Sequence, residues 1–195
     1  MLKEFKVNSK TYYFDSENFT LSTSAAHPNS KLKKLIPKTI LQKVVINISN
    51  SCNLSCSYCY ADGGNYGMDS RIMNQQTANA IIEDLKRKNI KQINRLILFG
   101  GEPFLNIKLF VYFIEKLSLF LKIEKIETVT NGTVLTSKIK HMITTYHPYL
   151  TVSLDGPEIV HDKLRGKGSH KKTIKFIEYL KEINYNNLSL IHISE

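Results

Sequence analysis

From Gln42 onward the chain alternates short runs of β-branched and apolar residues with stretches whose apolar positions recur every three or four residues. That alternation predicts βαβ units around a parallel sheet. KVVINIS, residues 43–49, reads as the first strand. Asn74 can cap a helix with Ala78, Ile81, Ile82 and Leu85 on one face. RLILF, 95–99, is a second strand, after which Asn106 can cap a helix whose buried stripe is Phe110, Phe113, Ile114 and Leu117. IETVT, 126–130, is a third, followed by a helix with Ile139, Met142, Ile143 and Tyr146 on one side. YLTVSL, 149–154, is a fourth, and a helix carrying Thr173, Ile177 and Leu180 leads to a fifth, LSLIHI, 188–193. Stripes of this kind build cores; their use here is to locate the loops.

Upstream, FKVNSKTYYFDSENFTLST alternates apolar and polar residues around NSK and DSEN turns, which predicts a small β hairpin unit. Residues 22–42, with Pro28, Pro37 and a KLKK run, read as a linker. The organisation expected is a hairpin segment and linker over 1–41 and an α/β core over 42–195. In parallel sheets and barrels, ligands bind at the carboxyl ends of the strands. The first four strands end in SCNLSCSYC, GGEPF, NGT and DGP, so four loops rich in polar residues and glycine should face one cavity.

The first of those loops holds every cysteine of the protein. Cys52, Cys56 and Cys59 lie within eight residues at C-x3-C-x2-C spacing. Three thiolates that close cannot all satisfy one another as disulfides, but they can converge on an iron–sulfur cluster. A cluster of four irons held by three cysteines keeps one iron for a substrate or cosubstrate. A structural zinc site would want a fourth Cys or His; none of the six histidines lies near the motif in sequence, although folding could bring one in. A redox pair would use Cys56 and Cys59 and leave Cys52 unexplained.

This segment, with the aromatic Tyr58 before the last cysteine, resembles the radical S-adenosylmethionine enzymes. FGGEP, 99–103, is similar to their glycine-glycine-glutamate-proline motif. Gly100 and Gly101 would let a ligand approach the backbone, and Glu102 would accept the ammonium of the cosubstrate. SLDGP followed by HDKLRG resembles the fourth-strand segment of members that modify peptides and proteins. The resemblance covers roughly residues 40–193. It implies a partial (β/α) barrel with about five parallel strands, a 4Fe-4S cluster on the three cysteines, and S-adenosylmethionine as cosubstrate. Ser153 and Arg165 would hold its carboxylate, Tyr58 would pack near the adenine, and Asn131 and Asp155 would line the pocket. His161 and Asp162 receive no role beyond the start of a helix.

The activity implied is reductive cleavage of S-adenosylmethionine to a 5′-deoxyadenosyl radical that modifies a ribosomally made peptide. A maturase of the sulfatase type and a noncatalytic remnant are the alternatives. Related maturases carry further cysteine-bound clusters in a C-terminal SPASM or twitch domain, and their cores have six βα units. Five strands and no cysteine after Cys59 therefore read as a chain cut short. Implied partners are a peptide or protein substrate, an electron donor such as flavodoxin or ferredoxin, and no nucleic acid.

Composition narrows the picture further. Lys and Arg outnumber Asp and Glu by 27 to 17, a net charge of +10, which favours acidic partners, nucleic acid or an acidic peptide such as a leader, without choosing between them. At 195 residues and 42% hydrophobic content the chain can bury a core. No apolar run approaches a membrane span, and the N-terminus lacks the apolar stretch of a signal peptide. Clustered cysteines and these absences lead to the expectation of a cytoplasmic protein.

Overall fold

The computed structural model describes residues 2–15, 20–23 and 39–191. The chain divides into two compact units, Met1–Pro37 and Lys38–Glu195. In the first, β1 (Leu2–Val7), β2 (Lys10–Asp15) and β3 (Thr20–Ser22) form an antiparallel sheet in that order. Asn8 and Ser9 take positive φ angles, 47° and 63°, in the two-residue turn between β1 and β2. That backbone twist suits a tight hairpin. Phe5 and Tyr12 sit opposite each other in register and their rings stack with centroids 5.8 Å apart. The DSEN turn and most of the expected linker lie outside the described residues.

The second unit carries β4 (Ile40–Leu41), β5 (Val44–Asn50), β6 (Arg71–Ile72), α1 (Gln75–Arg87), β7 (Gln92–Ile93) and β8 (Leu96–Gly100). A 3-10 turn over Pro103–Asn106 leads into α2 (Ile107–Ser118), then β9 (Lys122–Ile123), β10 (Ile126–Thr130), α3 (Ser137–Tyr146) and β11 (Tyr149–Ser153). The remaining elements are α4 (Glu158–Arg165), α5 (Ser169–Glu182) and β12 (Leu188–Ile191). The main sheet runs β12-β11-β10-β8-β5-β6, with five parallel strands and β6 antiparallel at one edge. The chain is thus α/β, with the parallel strands of a partial barrel.

Successive parallel strands are added in one direction, and right-handed crossovers then place the helices on one face. Burial follows: Ile46, Ile48, Leu96, Leu98, Leu150 and Val152 are 0–5% exposed, whereas the alternate residue Val45 is 52% exposed. Coverage on one face explains why these strands alternate. Phe110, Phe113, Ile139, Met142, Ile143 and Leu180 complete the core, each 0% exposed. Below the main sheet, β4, β7 and β9 form a second parallel sheet of two-residue strands at the amino ends of β5, β8 and β10.

Two local expectations meet different outcomes. The Asn74 side chain caps α1, accepting from the Thr77 N–H at 2.8 Å. Asn106 precedes α2 without a side-chain cap; its amide instead donates to the carbonyls of Ile48 and Met73 at 2.9 and 3.0 Å. The first turn leading into α2 is capped one step earlier by Glu102, which accepts from the Phe104 N–H. Among the described residues, no helix is long and apolar enough to cross a membrane.

Candidate active site

β5 ends at Asn50 and the chain does not rejoin the sheet until β6, so residues 51–70 form one long loop at the carboxyl end of the sheet. Cys52, Cys56 and Cys59 are free thiols there, each half-buried, and line one cavity of about 460 Å³. Backbone donors converge on them: the Leu54 N–H reaches Cys52 Sγ at 3.4 Å and the Gly63 N–H reaches Cys59 Sγ at 3.3 Å. Burial pushes the Cys52 and Cys56 thiols up from their ordinary value, with nearby thiols adding to the shift. Arg165 opposes the rise at Cys56.

The glycines of FGGEP have a definite physical reason. A Cβ on Gly101 would stand 2.6 Å from the Ser51 carbonyl oxygen and 2.9 Å from Gly64 Cα. One on Gly100 would meet the Ser49 carbonyl oxygen at 2.3 Å. Their missing side chains let the cysteine loop lie against the end of β8, so the close approach is made by the protein's own backbone. The Gly101 N–H donates to Ser49 and the Glu102 N–H to Ser51, which completes the seam.

Glu102 is 0% exposed. Its Oε1 accepts from the Phe104 N–H at 3.0 Å and the Thr130 hydroxyl at 2.9 Å, and its Oε2 from the Asn131 N–H at 2.8 Å. One carboxylate therefore joins the end of β8 to the end of β10. Burial pushes its pKa up to about 7 despite those three bonds. A carboxylate offers about four lone-pair positions, and three are taken by neutral donors.

Asn131 continues the same network toward the cysteines. Its amide donates to Asn53 Oδ1 at 3.0 Å and reaches Cys52 Sγ at 3.7 Å, while Asn53 donates to the Thr133 hydroxyl at 2.8 Å. At the end of β11, Ser153 is 7% exposed and Asp155 3%. Arg165, 7% exposed, grips Asp155 with two donors, Nε to Oδ2 at 2.6 Å and Nη2 to Oδ1 at 3.0 Å. The Tyr58 hydroxyl donates to the same Oδ2, and its pKa rises through burial and that bond. All four strand ends named from the sequence therefore meet. Thr130 and Asn53 join them without having been singled out, since a neutral donor at a strand end gives little signal in one sequence; His161, given no role from the sequence, joins by accepting from the Asp155 N–H.

The radical SAM superfamily profile matches residues 46–194. The chain belongs to that superfamily. Among curated relatives, the radical SAM cyclopropyl synthase TigE of Paramaledivibacter caminithermalis is 29% identical over 81% of this chain and 36% of its own length. The sporulation killing factor maturation protein SkfB of Bacillus subtilis is 26% identical over 77% of this chain and 35% of its own. Matches of similar strength also include a pre-heme d1 synthase and a GTP 3′,8-cyclase. This chain thus spans about a third of the length of TigE and SkfB. A solved structure, native anSMEcpe with bound AdoMet, aligns with TM-score 0.64 at 22% identity, over 77% of this chain and 43% of that one. It shares the radical SAM fold.

The cofactors of the radical SAM superfamily are a 4Fe-4S cluster and S-adenosylmethionine. The donors here fit such a cluster. Three unpaired thiols face one cavity, and N–H groups aim at two of the sulfurs, as hydrogen bonds to cluster sulfurs do. Among the described residues, no three His, Cys, Asp or Glu side chains converge closely enough for a single metal ion.

Proposed function

We propose that this chain is the radical SAM core of an enzyme that modifies a peptide or protein, with Cys52, Cys56 and Cys59 as the cluster ligands. The observation that carries the reading is the gathering of all three thiols on one cavity at the carboxyl end of the sheet, tied through Asn131 to the network around Glu102. When bound, the cluster and S-adenosylmethionine supply reductive cleavage of a sulfonium and a carbon radical that removes hydrogen from the substrate. The protein's part is to hold, orient and exclude water.

Arg165 has five N–H donors, two of which go to Asp155, so its fork keeps capacity for the carboxylate of S-adenosylmethionine. Ser153, at the end of β11, is the second residue assigned to that carboxylate. Glu102 has one lone-pair position left for the ammonium, and a cation there would relieve the burial that raises its pKa. Tyr58 would pack near the adenine, with its neighbouring backbone groups able to read the base edge. Cys52 and Cys56 lose their protons on taking up the cluster, which offsets the burial that keeps them protonated.

The peptide class is favoured by SkfB, named for maturation of a killing factor, and by a second anSMEcpe structure holding AdoMet with the Cp18Cys peptide. A net charge of +10 suits an acidic leader, and an acidic electron donor such as flavodoxin or ferredoxin. The boundary near residue 41, a cytoplasmic setting and further clusters of the SPASM type belong to this reading too. As a test, cluster-loaded protein would be given reductant, S-adenosylmethionine and a panel of synthetic peptides with acidic leader segments, and 5′-deoxyadenosine and peptide mass followed together. Coupled formation of both is expected. Turnover with a nucleotide or tetrapyrrole and none with peptide would overturn the assignment.

A further inference from the structure

α4 contains the two residues left without a role, His161 and Asp162, and both are engaged. Asp162 accepts from the Gly168 and His170 N–H groups and from the Ser169 hydroxyl. It thereby caps α5, whose own N-cap, Gly168, has no side chain to do so. His161 is 0% exposed, and its Nδ1 accepts from the Asp155 N–H at 3.2 Å. That bond puts the proton on Nε2, a buried nitrogen without a hydrogen-bond partner, with the His170 ring edge-on at 5.4 Å. A buried polar atom left unpaired is costly, so the imidazole is placed for what its other nitrogen does: it holds Asp155.

Asp155 is then gripped at both ends from one helix, by His161 on its backbone and by Arg165 on its carboxylate. The same carboxylate receives the Tyr58 hydroxyl from the cysteine loop. A second tie lies one residue away, where the Ser57 N–H donates to the Leu164 carbonyl at 2.8 Å. The Arg165 guanidinium carbon also sits 5.4 Å from the centre of the Tyr58 ring. Both ties fall at residues 57 and 58, between Cys56 and Cys59.

We propose that Asp155 is a positioning residue that couples the cysteine loop to Arg165, holding Tyr58 and the guanidinium on one carboxylate so that cluster ligands and ligand-binding arginine take up position together. The inference rests on the cluster and carboxylate roles assigned above. Its structural half is independent of them, because the latch is made of this chain's own side chains.

Tyr58→Phe is the cleanest probe, because it removes one hydroxyl from a half-buried ring and changes no charge. In metal-free protein, the alkylation rates of Cys56 and Cys59 should rise about three- to tenfold as the loop loosens. Tyr60→Phe, on a side chain 79% exposed, should leave the rates unchanged. In cluster-loaded protein, Tyr58→Phe should alter the electron paramagnetic resonance line shape of the reduced cluster and weaken S-adenosylmethionine binding about threefold by calorimetry. Wild-type alkylation rates in Tyr58→Phe would overturn the latch. Faster alkylation with unchanged binding would overturn the coupling. Faster alkylation in a protein that assembles no cluster would uphold the latch and refute the cofactor assignment instead.

Discussion

Two buried carboxylates flank the cysteine loop, and they are held in opposite ways. Asp155 has a cation, Arg165, in a two-pronged grip, with a phenol on the same oxygen. Glu102 has two N–H groups and a hydroxyl, and no cationic partner among its bonds. Neutral donors do not offset the loss of solvent, and its pKa climbs to about 7. The contrast assigns different tasks to two acids that look alike in the sequence. Asp155 is a finished internal joint, whereas Glu102 is a brace whose charge would gain from a cation brought by a ligand.

Removing the cation from the finished joint should have the largest effect. Arg165→Leu takes the cation away from a buried ion pair, which typically costs about 3–5 kcal/mol. Chemical denaturation of the metal-free protein would measure it; a loss under 1 kcal/mol would mean that Asp155 is solvated or neutral.

Next comes the pH dependence of the brace. The Glu102 pKa is higher in the folded protein than in the unfolded chain, so the folded state holds an extra proton between the ordinary value near 4.5 and about 7. Its contribution should therefore fall as pH rises through that window, by about 3 kcal/mol in all. His161 works against it, since burial and Arg165 lower its pKa and its contribution improves as pH rises toward the ordinary histidine value. Glu102→Gln should abolish the falling component in stability measured from pH 5 to pH 8; an unchanged profile would deny the carboxylate its buried charge.

A smaller loss, about 1–3 kcal/mol, is expected for Gly101→Ala, because the new methyl would collide with Ser51 and Gly64 backbone and pry the loop from β8. Denaturation together with iron uptake would report it, and full iron loading at wild-type stability would contradict the seam. Asp84→Asn should do nothing measurable, although Asp84 pairs with Arg87 and Lys88 at 2.5 and 2.6 Å, because those pairs stand in solvent.

Much of this fold is legible from periodicity. The third strand is found over its predicted span, and the others lie within two residues of their predicted starts. Long apolar runs of that kind report burial directly. α4 shows in the sequence only as a helix start at His161 and Asp162, and its span gives little signal, because EIVHDKLR leaves Ile159 84% exposed and buries His161 and Arg165 instead, which inverts the pattern by which helices are recognised. The two-residue strands β4, β7 and β9 are too short to carry a period. The cysteine loop and strand ends were legible as motifs, but their internal logic was not. Spacing does not show that Gly101 makes room for Gly64, that Asn106 bonds to Ile48 and Met73, or that Asp155 stands between Tyr58 and Arg165. Apart from Asp155 with Arg165, 10 positions away, those relations join residues 33 to 97 positions apart.

The account turns on whether the three cysteines of this chain hold an iron–sulfur cluster with one iron open to S-adenosylmethionine. Anaerobic reconstitution followed by iron and sulfide analysis, with electron paramagnetic resonance of the reduced protein before and after S-adenosylmethionine, tests it most directly. The prediction is about four irons per chain, a signal that shifts when S-adenosylmethionine is added, and loss of both iron and signal when Cys52, Cys56 and Cys59 are changed to Ala. Stoichiometric zinc, iron retained without the three cysteines, or a signal indifferent to S-adenosylmethionine would contradict it.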